Sequence, residues 1–396
     1  MSSGPCETGS PLAGSAWDHS RAFPPIVAAA QRFEESVPGA RIRWEKRTLH
    51  EFGHMPLDEL AARYDLIVID HPWAGFCFEN DLVEDLAAHF GAEERREWRE
   101  NSVGLSYESY EWEGKLLAVP IDAATPTPSW RPDLLARHGL DAPKTWEDAV
   151  ALADRGLAAM PGFPVDLFLN WLMLLHALDG APFESAEALA EVSAAKEAMG
   201  MLKRLAEGMP DDIYEWNPIR VGKEMTKGDR IVYCPFAYSY SNYCRPSYTR
   251  RPLKYGDLVE IRPGRRLRSI VGGTGLAISR RCRNLSQALE FVRFASTATL
   301  QAGLYGLSGG QPARTEAWED AGLNAVCGDF FRDSRRAHEE AVVRPRYSGY
   351  VPLQETAGRP LQQYLKGTLS QEAAWEEINR AYRQSLKRSC GETGGS

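Results

Sequence analysis

The chain lacks any apolar run approaching the roughly 20 residues of a membrane-spanning helix. Residues 1–15 are rich in Ser, Gly and Pro and carry neither the basic nor the apolar region of a secretory signal, so a flexible tail is expected there. The seven cysteines (Cys6, Cys77, Cys234, Cys244, Cys282, Cys327, Cys390) include no CxxC and no Cys/His ligand spacing, which leaves neither a zinc site nor a disulfide framework signalled. Their odd count leaves at least one thiol unpaired and fits a reducing compartment better than an oxidising one. GxGxxG, a GK[ST]-ended phosphate loop, GxSxG and HExxH are all missing, so no cofactor, metal or nucleophilic serine is called for. An excess of basic residues is missing too: 46 Lys+Arg stand against 54 Asp+Glu, a net charge of −8. Nucleic acid is therefore not an expected partner, and the one basic cluster, residues 262–268, reads as a solvated face.

At 396 residues, with 43% hydrophobic and 25% charged residues, the chain is an ordinary globular protein too long for one core, and it suits two large lobes. Its most informative stretch is Tyr64-Asp65-Leu66-Ile67-Val68-Ile69-Asp70-His71-Pro72-Trp73. Continuous Leu/Ile/Val without alternation predicts a strand buried on both faces, the habit of parallel sheets in α/β proteins. Helical spacing over residues 26–37, the alternation of Ile42 and Trp44 with charged residues, and a helix near 56–64 lead into it as a βαβ unit does. Lys115-Leu116-Leu117-Ala118-Val119-Pro120 reads as another buried strand, ending on Ile121-Asp122. From Trp130 the pattern turns helical over 131–138, 145–160, 166–178 and 185–207, with Thr145 as a hydroxyl cap before Glu147 and Asp148. Strand character returns at 230–235 and at 276–278.

In α/β sheets ligands sit at the carboxyl ends of the strands, which makes Asp70, His71 and Trp73 candidates for a binding crevice. An acid and an imidazole before proline are equally ordinary turn formers, and tryptophan an ordinary core filler. Trp17, Asp18 and His19 repeat the aromatic, acid, imidazole grouping, with Asp18 as a cap the plain alternative. Asp122 ends its strand as Asp70 does, as a hydroxyl acceptor or a turn acid. Trp171 lies in an apolar run where core packing competes with ligand contact. Tyr238 and Tyr240, interleaved with Ser239, Ser241 and Asn242, combine ring faces with hydroxyls in a way that suits polyols. Gly273 and Thr274 allow a close backbone approach to a ligand, or serve a hinge. Arg346, in Arg344-Pro345-Arg346-Tyr347, is the best source of positive charge for an acidic ligand, or part of a surface loop.

In order and spacing, these motifs resemble the family 1 extracellular solute-binding proteins, the carbohydrate-binding components of ABC importers. The likeness rests on the residue 64–70 strand, Glu113-Gly114 with the strand after it, and Trp130-Arg131-Pro132-Asp133-Leu134-Leu135 followed by Thr145-Trp146-Glu147-Asp148. It continues through Gly272-Gly273-Thr274-Gly275-Leu276-Ala277-Ile278, Ala288-Leu289-Glu290-Phe291-Val292 and Gly309-Gly310-Gln311-Pro312-Ala313, covering about residues 17–386. The resemblance implies an α/β, two-lobe periplasmic-binding-protein-like (Venus-flytrap) fold, each lobe a mostly parallel sheet flanked by helices. It implies lobe 1 at 16–124 plus 274–326 and lobe 2 at 125–273 plus 327–390, with hinge crossings near 124, 273 and 326. It also implies a monomer that closes an interlobe cleft on a sugar without chemistry and serves ABC permease subunits. The implied compartment is periplasmic or extracellular; with no signal visible, a cytoplasmic one also fits. The alternatives on the same scaffold are a carbohydrate-processing hydrolase or lyase using Asp70 with Asp122 as its carboxyl pair, and a ligand-sensing regulatory subunit.

Overall fold

Leu66, Ile67, Val68 and Ile69 are all buried, and a strand with no wet face can only lie inside a sheet covered on both sides. In the computed structural model, which describes residues 10–48 and 56–389, Leu66–Ile69 is the middle strand of a five-stranded sheet. The order is Ile42–Arg47, Leu12–Trp17, Leu66–Ile69, Gly272–Ile278, Val119–Ala124. The first three run parallel, with Leu12 opposite Ile42 and Gly14 opposite Leu66, whereas Gly272–Ile278 is antiparallel and sets Gly275 beside Ile69. Helix Phe23–Ser36, entered through Pro24 and Pro25, and helix Leu285–Ala295 share one apolar cluster, in which Phe33 meets Phe291 edge-on at 5.4 Å and Phe291 also meets Trp44. Leu12–Trp17 corrects the expected tail over 1–15: Leu12 and Ala16 are buried, so the strand begins inside the Ser/Gly-rich stretch. Its glycine has a packing reason, since a Cβ on Gly14 would come 2.7 Å from the Trp44 ring. Cys6 and Cys390 lie outside the described residues.

The chain divides into two units, Met1–Ala123 with Gly272–Val326, and Ala124–Val271 with Cys327–Ser396. The second unit is built mainly of helices. Helix Pro164–Ala177 is buried over nearly its whole length and packs on Tyr350–Leu365 and Val192–Ala206. The approach to Tyr350–Leu365 is close enough that a Cβ on Gly358 would fall 1.9 Å from the Pro164 carbonyl oxygen. The sheet here is three-stranded, Tyr233–Ala237, Thr127–Trp130, Lys254–Tyr255, and both pairings are antiparallel. The α/β reading holds, but this sheet corrects the expectation of a mostly parallel sheet in each lobe. Strands of two to five residues offer too little surface for the doubly covered arrangement that parallel sheets require, and the unit's apolar mass lies in its helices.

In the first turn of helix Pro164–Ala177, burial pushes the Asp166 carboxyl up to about 8, with the negative charge of Glu355 adding to the rise. A carboxyl raised in the folded state favours folding below its ordinary pKa of 3.8, and that contribution is lost as pH climbs through about 8. Asp166→Asn, neutral throughout, should leave the Tm at about pH 4 close to that of the parent and raise it at about pH 9. Equal Tm shifts at both pH values in a melting series would contradict this.

Candidate functional site

The exits of three strands of the first unit bring together residues far apart in sequence. After Leu12–Trp17, the chain turns through Asp18 and His19, whose ring stacks on Trp17 at 5.5 Å and 16°. His19 Nδ1 accepts the Arg21 backbone N–H at 3.0 Å, which places the proton of a neutral ring on Nε2. Arg21 then returns inward and grips Asp122, with Nε donating to Oδ2 at 2.8 Å and Nη2 to Oδ1. Its guanidinium also lies 5.6 Å from the centre of the Trp17 ring. Leu66–Ile69 delivers Asp70, about one quarter exposed, next to a fully buried His71 whose Nδ1 is 3.2 Å from the carboxylate. Tyr110 meets the His71 ring edge-on and donates its hydroxyl to the Ile69 carbonyl at 3.1 Å. Trp73, half-buried, sits in the short turn His71–Trp73 with Phe76 at its edge.

Gly273 brings the antiparallel strand to the same edge. Its φ is +93°, and a Cβ there would fall 2.2 Å from the Asp122 carbonyl oxygen, so only glycine fits this close passage. Thr274 follows as a buried residue of the strand. Gln311 clasps the other side, donating Nε2–H to the Ala123 carbonyl at 2.6 Å and accepting the Ala123 N–H at 3.0 Å. Burial pushes the Asp122 carboxyl upward; Arg21 opposes this and the charge of Asp70 adds to it, so the two acids sense each other. Tyr305, buried beneath this edge, has its hydroxyl held well above the ordinary range, first by burial and then by the charge of Asp122.

Asp70, His71, Trp73, Asp122, His19 and Gly273 thus belong to one edge of one sheet. Trp17 is buried beneath His19 and Arg21 and acts as their base, while Asp18 pairs with Lys46 at 2.9 Å on the surface. Arg21 and Tyr305 carry no sequence signal of their own, while Gln311 stands in the Gly309–Ala313 loop that carries part of the family resemblance. A lone arginine before Pro24-Pro25 has no periodicity, and its partner lies 101 residues away.

The remaining candidates belong to the second unit. Tyr238 is half-buried; Tyr240 and Asn242 are buried, Tyr240 with its ring edge-on to Tyr243 at 6.3 Å. Asn242 Oδ1 is enclosed without a hydrogen-bond donor among the described residues, an acceptor of the kind a ligand hydroxyl satisfies. Trp171 is corrected to a core residue: helix Pro164–Ala177 is covered on all sides there, and the indole N–H is already donated to the Ala195 carbonyl at 3.2 Å. Arg346 is half-buried beside Arg344, whose guanidinium is committed to the Val271 carbonyl and Gln354. Among the described residues no three His, Cys, Asp or Glu side chains are grouped to hold a metal ion, and no helix is long and apolar enough to cross a membrane. The described cysteines are all free thiols, and burial pushes Cys77 and Cys234 up to about 12.

The family described as bacterial extracellular solute-binding protein matches residues 28–325. Among solved structures, the maltose-bound MalE3 of T. maritima is 17% identical, with a TM-score of 0.80 over 94% of this chain and 99% of its own. A solute-binding protein of an ABC transporter from Thermotoga lettingae, bound with α-D-tagatose, is 15% identical, with a TM-score of 0.81 over 96% and 100%. The GacH receptor of Streptomyces glaucescens, solved unliganded and with acarbose, is 18% identical, with a TM-score of 0.79 over 95% and 99%. These likenesses establish a common fold.

The Arg21–Asp122 pair yields a direct prediction. Arg21→Ala leaves a buried carboxylate without its counter-ion, which should cost about 3–5 kcal/mol of stability near neutral pH. The loss should shrink near pH 4, where the carboxyl is free to take up a proton; urea unfolding at both pH values checks this, and a pH-independent loss would argue against an ionic role.

Proposed function

The chain belongs to the bacterial extracellular solute-binding protein family, and from this we propose that it captures a sugar or sugar derivative by hinge closure and delivers it to the permease of an ABC importer. The observation that carries the reading is the convergence of Asp70, His71, His19, Trp73 and the Arg21-bound Asp122 at one sheet edge of the first unit. Carboxylate and imidazole groups beside an aromatic plate meet both faces of a pyranose, its hydroxyl rim and its C–H surface. The tyrosine cluster and the enclosed Asn242 acceptor of the second unit offer the same chemistry. Sugar-bound neighbours sharing the fold support this choice of ligand. Closure is driven only as far as the ligand prefers the closed state.

Binding without turnover is favoured because both Asp122 oxygens are engaged by Arg21, which removes the second carboxylate that a glycosidase pair would need. An extracellular or periplasmic monomer is the form in which such a protein would work.

A thermal-shift panel of maltose, α-D-tagatose, acarbose and acidic sugars tests the reading, since a ligand that binds only the folded chain must raise its Tm. A Tm raised by amino acids, polyamines or aromatic acids but by no sugar would overturn it. For the sugar that binds, Trp73→Ala should weaken affinity by roughly 1–3 kcal/mol in calorimetric titration, as loss of an aromatic anchor does. Unchanged affinity would remove Trp73 from the site.

A further inference from the structure

Where the chain has just entered the second unit and where it is about to leave it, four fully buried hydroxyls form one chain of hydrogen bonds: Thr125, Thr127, Ser239 and Ser269. Ser239 donates to the Thr125 carbonyl, and its oxygen is 2.7 Å from the Thr127 hydroxyl, which therefore donates to it. The Thr125 hydroxyl reaches both Ser269 Oγ and the Ile270 carbonyl at 2.5 Å, and Ser269 donates to the Pro126 carbonyl at 2.6 Å. Every proton in the chain thus has an acceptor. The exit segment is bound in turn to a third strand of chain, through Val342 N–H to the Ser269 carbonyl at 2.9 Å and Val271 N–H to the Val342 carbonyl at 2.8 Å.

Ser239 is the odd member. It stands between Tyr238 and Tyr240 and holds a φ of +48°, in the left-handed region that a non-glycine residue occupies only when its surroundings compel it. What holds it is the pair of bonds from its hydroxyl to the entry segment. Losing the bond from Ser239 would leave a buried polar group unpaired, and Thr125 and Ser269 join the entry and exit segments by several bonds at once, so the linked segments move together sooner than separate.

We propose that Ser239 is a positioning residue that couples ligand contact at the Tyr238/Tyr240 loop to the entry and exit segments, 125–127 and 269–271. The proposal rests on the sugar-binding reading above. A ligand that fixes the tyrosines fixes Ser239, and through it the backbone about which closure must turn.

Ser239→Gly is the informative variant, because glycine accepts a φ of +48° without strain while removing the hydroxyl together with its Cβ. Hydrogen exchange followed by mass spectrometry, with and without saturating maltose, reads the coupling in peptides covering residues 124–130 and 268–272; α-D-tagatose or acarbose serves as the probe if the thermal panel selects it. In the parent, sugar should slow exchange in both peptides. In Ser239→Gly, with a Tm within a few degrees of the parent, that sugar-dependent slowing should vanish, and affinity should fall about tenfold, within the usual range of coupling between sites. Thr125→Val combined with Ser269→Ala, which spares Ser239 and its carbonyl partner but removes all three hydroxyl links from residues 125–126 to residues 269–270, should keep the slowing in 124–130 and lose it in 268–272. Parent-like slowing in both variants overturns the coupling while leaving sugar binding intact. Should Ser239→Gly not fold, parent-like slowing in both peptides of the Thr125→Val, Ser269→Ala double variant overturns it alone. No sugar-dependent slowing and no Tm shift in the parent would overturn the sugar reading, and the coupling with it.

Discussion

Arg21 and Asp122 are both almost wholly out of water, and two ions so placed are tolerated only while each is held by the other in good geometry. The constraint reaches beyond the pair. To keep its guanidinium on Asp122, the segment after Leu12–Trp17 must fold back over the sheet edge, and in doing so it stacks His19 on Trp17 and turns Nδ1 to the Arg21 N–H. To keep its carboxylate in place, Val119–Ala124 must end where it does, with Gln311 clasping Ala123 from one side and Gly273 passing on the other. Asp70 and His71 thereby face a wall already built. A first unit organised in this way spends little ligand-binding energy on ordering side chains.

The second unit reaches rigidity by other means. Its chain entry and exit carry neutral hydroxyls where the first unit uses charge, and its aromatic contributors lie along one loop, where the first unit draws on several strand ends. Neutral hydrogen bonds have a net worth of roughly 0.5–1.5 kcal/mol each, well below the cost of separating a buried ion pair. For a segment that changes its dihedrals, as the proposed closure would require of this one, several weak bonds that shift together serve better than one strong bond that holds or fails.

Local chemistry made part of this legible in the sequence. The buried Leu66–Ile69 strand was visible because Leu/Ile/Val without alternation has few other uses, and the hydroxyl cap at Thr145 because it spans only a few residues. The rule for strand ends applied to Asp70, whereas Asp122 lies inside Val119–Ala124 and not at the end of the strand expected over 115–120. Long-range partners were not legible: nothing near Arg21 marks it as the counter-ion of Asp122. Trp171 was ambiguous for a related reason, since an apolar run does not say whether its tryptophan faces a core or a cleft until the neighbouring helices are in place. The antiparallel sheet of the second unit was hidden because strands as short as Lys254–Tyr255 leave almost no periodic trace.

The same accounting of charge bears on the ligand. Arg21 is neutralised by Asp122, Arg344 is committed to a backbone carbonyl and to Gln354, and Asp18 is matched by Lys46. An anionic sugar drawing on Arg21 or Arg344 would have to break one of these commitments, and a buried guanidinium that surrenders its partner strands an unpaired charge. Asp70, by contrast, keeps part of its carboxylate exposed, and the enclosed Asn242 Oδ1 meets no donor among the described residues. Groups that accept hydrogen bonds, set beside rings that offer flat apolar faces, favour a neutral ligand rich in hydroxyl donors over an acidic one. That preference follows from which charges are already satisfied, and the number of arginines near the candidate residues is a poor guide to it.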